Sequence, residues 1–247
     1  MTCPSDQFLK ELESFRIDAE SAIQFFYAHF TIHQVAGMNR RIKVELDKEP
    51  MFWNTTLTAL QTSGFIALGR IFDQNSKHNI DRLLQSCQKN IVIFCKEELR
   101  KRKMASSRNA SEWIEQYMKT AFEPSQDDFK RLRRHVLKYR RTYEARYRDI
   151  RSKVYAHKEL SDSADIRALF SKTKINELQK LLVFLVRLHS CLQEIFFNGR
   201  KPSLPRMRFS IIEMLGKPTP KYKSLTSQER IVLSTKGQLE SLVAKNA

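Results

Sequence analysis

The chain has 247 residues, 41% of them hydrophobic and 29% charged, enough apolar matter for a proper core and too much for a disordered segment. Lys and Arg outnumber Asp and Glu 44 to 27, a formal charge of +17, which favours a polyanionic partner: RNA, DNA or an acidic surface. Only six Gly and seven Pro occur, which points to long regular segments.

Helical periodicity runs through almost the whole chain and strand alternation is nearly absent. Ser5 can cap a first helix whose apolar stripe is Phe8, Leu12, Phe15, Ala19, Ala22, Phe26 and Phe30, with Gly37 as its stop or kink. Lys48-Glu49-Pro50 marks the next start, since proline in a first turn loses no hydrogen bond. Trp53, Leu57, Leu60, Gly64, Leu68 and Ile71 form its stripe, and Gly64 and Gly69 suggest close helix approach. A polar break at 73–79 precedes a short helix over 80–89. NIVIFC (90–95) has strand character but flows into KEELRKRK, so helix is expected there. A loop at 106–111 leads to a short helix over 111–121.

Ser125 with Asp128 has capping-box spacing and opens what reads as the longest helix, to about His157. SDSAD (161–165) reads as a break. Ile175, Leu178, Leu182, Leu185, Leu188, Leu192 and Ile195 then define an amphipathic helix that Asn198 and Gly199 end. Beyond Arg200, four prolines fall within nineteen residues, a short helix is expected around Met207–Leu215 and another over Gln228–Val243. The expected architecture is all-α, an antiparallel helical bundle over 1–199 with a C-terminal extension, a Pro-containing linker and short helical tail, over 200–247.

Cys3, Cys87, Cys95 and Cys191 form no C-x-x-C pair, so no zinc site or redox couple is indicated. No metal and no cofactor is expected. His29 and His33 are an i, i+4 pair that reads as structural. The N-terminus is charged early and no run reaches the length of a membrane span, so a cytoplasmic chain without a membrane partner is expected.

Between Lys130 and Lys158 there are twelve Lys or Arg and two acids, Glu144 and Asp149. Like charges so close repel, and a bound anion relieves that repulsion. Tyr139, Tyr143, Tyr147 and Tyr155 lie among them. Rings at this period usually pack on a core, and the alternative is stacking on bases. At the end of this stretch stand Arg151 and His157, with five residues between them. On an ideal helix six steps leave them roughly 120° apart and about 9 Å along the axis. A bend, or a two-fold axis beside the helix end, would gather such residues into one cleft. Histidine titrates near neutrality and can take or give a proton, and arginine clamps phosphate oxygens. RNA cleavage by the neighbouring 2′-hydroxyl needs those two functions and no metal.

The string RSKVYAH (151–157) resembles the signature of the HEPN superfamily, in which four to six residues stand between an arginine and a following histidine. FWNTTLTALQTSGFIALGRIFDQNSKHNIDRLL (52–84) is similar to the region upstream of that motif in the abortive-infection AbiU-type branch. The resemblance implies a helical bundle that dimerises through its motif helices and a metal-independent endoribonuclease, used as a toxin or in phage defence. It carries Arg151 and His157 over as the catalytic pair. Substrate contacts are expected from Arg140, Arg141, Arg148, Ser152, Lys153 and Tyr155, with RNA or another nucleic acid as partner and room for an antitoxin or regulator. Two positions depart from family patterns. Ser152 stands where Asn, Asp or His is common. Glu159 stands where one branch carries a tyrosine modified by a partner enzyme, so that control is not expected. Some members of the superfamily only bind, which keeps a non-catalytic nucleic-acid-binding or scaffold protein as the alternative, and a plain helical interaction protein as a third reading. Arg70 and Asp73 are further candidates, with an ion pair the simpler reading for Asp73.

Overall fold

The computed structural model describes residues 3–156, 162–205, 208–216 and 225–244. They form an all-α fold, and no β-strand occurs among them. The helices are α1 (Pro4–Met38), α2 (Arg40–Lys48), α3 (Pro50–Phe72), α4 (Ile80–Lys89), α5 (Lys96–Ser106), α6 (Ala110–Thr120), α7 (Gln126–Arg146), α8 (Ser163–Ser171), α9 (Ile175–Asn198), α10 (Ile211–Leu215) and α11 (Ser227–Ala244). A 3-10 turn, Ile91–Phe94, precedes α5, and a π-helical segment, Ile150–Ala156, follows α7.

Side chains set most boundaries. The helix α1 runs past Gly37, and Asn39 makes the break by accepting from the backbone N–H of Arg41 and Ile42 to cap α2. Asn79 caps α4 in the same way and also donates to the Gln74 and Ser76 carbonyls, which ties the polar 73–79 loop down. Ser125 and Asp128 close the expected reciprocal box at the start of α7, at 2.9 and 3.4 Å. Gly199 ends α9 with φ of 51°, and the Arg200 N–H reaches back to the Glu194 carbonyl at 3.1 Å.

Four expectations are corrected. The longest helix is α1, with 35 residues, and α7 stops at Arg146 because the chain widens into the π-helical segment instead of continuing to His157. NIVIFC is a 3-10 turn rather than part of a helix, since Cys95 is extended and caps α5 through its sulfur. The stretch read as a break, SDSAD, holds a helix start: Asp162 accepts from the Ala164 N–H at 2.7 Å and caps α8. Finally, α9 is long and apolar enough to cross a membrane by length and composition, although 61% of its apolar window is buried inside the protein.

The chain divides into two compact units. The first comprises residues 1–17, 70–145 and 183–207. Its core joins Phe8, Phe94, Phe129 and Phe196, with Phe8 4.8 Å from Phe196 and Phe94 5.0 Å from Phe129. Arg102 lies over the Phe196 ring at 4.0 Å and donates to the Ile93 and Phe196 carbonyls. The second unit comprises 18–69, 146–182 and 208–247. There α11 packs on α2 and α10, so part of the 200–247 segment joins this core. Phe26 meets Phe65 edge-on at 5.1 Å, and Tyr27 meets Phe209 at 4.9 Å.

Gly64 lies under Phe26: a Cβ there would sit 2.9 Å from the ring. Gly237 in α11 has open space around it. In urea unfolding, Gly64→Ala should therefore lose about 1–2 kcal/mol through overpacking, although alanine is the better helix former. Gly237→Ala should gain up to about 1 kcal/mol.

Candidate functional site

Helix α7 carries its charge on both faces, and the two faces are treated differently. Phe129, Leu132, Val136, Arg140 and Tyr143 are buried. Arg140, expected as a phosphate contact, is 6% exposed, and its Nη2 lies 3.7 Å from Asp81 Oδ1. Arg133 grips the same carboxylate with two nitrogens, at 3.1 and 3.2 Å, and also donates to Gln88. Arg140 is thus a structural cation, which a sequence count of charges has no means to separate from its neighbours. The outer face presents Arg134, Lys138 and Arg141, all exposed, at steps of four and three. Their neighbours Lys130 and Arg131 stand near the first-turn acids Asp127 and Asp128, at 2.8 and 3.8 Å. Arg134, Lys138 and Arg141 form no ion pair within 4 Å among the described residues, although the field of Arg134 also reaches Asp127.

The four tyrosines are packed. Tyr139 stacks on Phe184 at 4.0 Å and Tyr143 on Phe72 at 5.4 Å. The Tyr143 hydroxyl donates to Asp73 at 3.0 Å, which gives this carboxylate a structural partner. Arg70 is exposed near the end of α3. The Tyr147 hydroxyl donates to the Lys174 carbonyl at 3.3 Å, and the Tyr155 hydroxyl to Gln61 Oε1 at 2.7 Å. Burial pushes both phenols up to about 12.

The motif arginine stands inside the π-helical segment. Arg151 is half-buried, and its N–H donates to the Tyr147 carbonyl at 3.0 Å. Ile150 beside it is fully buried and anchors the backbone. Ser152 and Lys153 are half-buried and Arg148 is exposed. Asp149 lies between cations, 3.9 Å from Arg148 Nε and 3.4 Å from Lys153 Nζ. His157 lies outside the described residues. The structure thus brings Arg148, Arg151, Ser152, Lys153 and Tyr155 onto one short segment, and leaves Arg140 in a core.

Gln61, Phe65 and Lys174 were not singled out from sequence, yet they hold this segment. One signal was present for Gln61: it lies four residues after Leu57 and three before Gly64, a polar residue on the inner face of α3. His29, Gln61, Phe65, Tyr147 and Lys174 line one small cavity of about 50 Å³. The His29 and His33 rings are 4.6 Å apart. Burial, and then the neighbouring His33, pull the His29 pKa down to about 4.

Beyond its all-α fold and basic helix, the chain matches the family model of AbiU2 over residues 5–215. It belongs to this HEPN family, which carries the name of abortive infection. No curated protein and no solved structure gives a significant match.

Two outcomes follow for stability. Asp81→Ala strands the buried Arg140 charge and should cost about 3 kcal/mol in urea unfolding, whereas Arg141→Ala should cost under about 0.5 kcal/mol. For His29, the unfolded chain takes up a proton near pH 6.5 and the folded one only near pH 4. The folded state therefore loses stability as pH falls through that window, by up to about 3 kcal/mol, and His29→Leu should flatten this part of the stability profile.

Proposed function

We propose that the chain is a metal-independent endoribonuclease acting in abortive infection, as a toxin or phage-defence effector in the cytoplasm. The observation that carries this reading is the setting of Arg151 in a chain of the AbiU2 family: half-buried, on a π-helical segment, six positions before His157. Such segments often sit at functional sites. The row Arg134, Lys138 and Arg141 supports the choice of RNA as ligand, because exposed cations that form no close ion pair gain from phosphate.

In the proposed reaction His157 takes the proton of a 2′-hydroxyl. The oxygen attacks the adjacent phosphorus, the bond from phosphorus to the 5′-oxygen breaks, and the leaving 5′-oxygen takes a proton from solvent water. Arg151 holds the phosphate oxygens as charge builds on them, which costs little reorganisation because the segment is already placed. Arg148, Ser152 and Lys153 lie beside it for backbone contacts. A homodimer through the motif segments would place two Arg–His sets in one cleft. The second reading is a non-catalytic nucleic-acid-binding or scaffold protein, favoured by Ser152 where an amide, carboxylate or imidazole is usual.

RNA cleavage should persist in excess chelator, and His157→Ala and Arg151→Ala should each reduce it by at least about a hundredfold. Unchanged cleavage in both variants contradicts the site. Binding to single-stranded RNA should weaken with salt at a log–log slope near −2 for three phosphate contacts, and Arg141→Ala should shallow that slope by about 0.7.

A further inference from the structure

The structure assigns to Gln61 and Tyr155 a positioning role: together they hold the Ile150–Ala156 segment in its π-helical form and so set how Arg151 is related to the residues after it. The inference rests, for its functional consequence, on the ribonuclease reading above.

A π-helix is rare, so side chains must favour it over the α-helix at this place. Three contacts do so through Tyr155. Its hydroxyl donates to Gln61 Oε1 at 2.7 Å. Its ring stacks on Phe65 at 5.7 Å and 23°. The same ring meets Phe170 of α8 edge-on at 6.4 Å.

The geometry of the two tyrosines explains why only the wider helix allows this. Tyr147 and Tyr155 are eight residues apart. On an α-helix eight steps turn about 800°, which leaves the two side chains about 80° apart. Bonding to the fifth residue instead of the fourth absorbs about one residue per turn, so the interval acts as about seven α-steps and the rings come within about 20° of one face. Both then reach Phe65, Tyr147 at 6.2 Å and Tyr155 at 5.7 Å. A return to α geometry would carry Tyr155 off Phe65 and break its bond to Gln61. It would also change the turn of the segment's own backbone, which carries Arg151. The Gln61–Tyr155 pair acts through the backbone that it fixes.

Tyr155→Phe deletes the hydroxyl and keeps the ring. Gln61→Leu deletes the acceptor, and Gln61→Glu keeps one. The test is amide hydrogen exchange over 150–156 in the full chain, with RNA cleavage measured beside it. Tyr155→Phe, Gln61→Leu and their combination should each speed exchange in this segment by about tenfold, the double variant no more than either single one, while 129–143 in α7 is unchanged. Cleavage should lose about tenfold in kcat with KM within about twofold, and Gln61→Glu should restore both readouts. Unchanged exchange at 150–156 overturns the role whatever the activity does. If the native chain cleaves no RNA, the ribonuclease reading falls and exchange alone decides: acceleration upholds the clamp, and none overturns it.

Discussion

A helix as basic as α7 can join a core only if the cation on its inner face meets a carboxylate. Asp81 supplies it, shared between the two-nitrogen grip of Arg133 and the buried Arg140. Removing a partner from such a pair leaves an uncompensated charge in a poorly solvating place. The pair therefore fixes the rotation of α7. With Phe129, Leu132, Val136, Arg140 and Tyr143 inside, Arg134, Lys138 and Arg141 must face out. The outward basic row is a consequence of the inward pairing.

Farther along, the chain solves a different problem with the same residue types. After Arg146 the α register would separate Tyr147 and Tyr155 in direction. Phe65 takes both rings, and the backbone widens to let it. Arg151 is carried on that widened turn, flanked by Arg148, Lys153 and the carboxylate of Asp149. A charged side chain on a backbone anchored by buried Ile150 is better placed to meet a phosphate than one on a fraying helix end.

Much of the fold was legible because it is written in local signals. The stripes of α1, α3 and α9, the Ser125–Asp128 box and the Asn198–Gly199 stop each rest on spacing or on one residue's chemistry. The 3-10 turn at 91–94 was not legible, since an apolar run before a charged one reads equally as helix. Nor was α8: Asp162 belongs to a polar cluster that looks like a loop until its side chain is seen capping. The π-helical segment depends on Phe65 and Gln61, ninety residues or more upstream of Tyr155, and periodicity within 150–156 carries no trace of them. Among the candidate residues, the outward place of Arg141 follows from the helical period, while the interior place of Arg140 depends on Asp81 and was not legible.

The measurement that bears most directly on the account is the chemistry of the cut ends. The native chain is incubated with a short RNA in chelator, and the products are compared with those from the same RNA carrying a 2′-methoxy group at each cleavage position. Attack by the neighbouring hydroxyl predicts 2′,3′-cyclic phosphate and 5′-hydroxyl ends, and no cut at the blocked positions. Ends bearing 5′-phosphate and 3′-hydroxyl, or cutting that ignores the block, would contradict it.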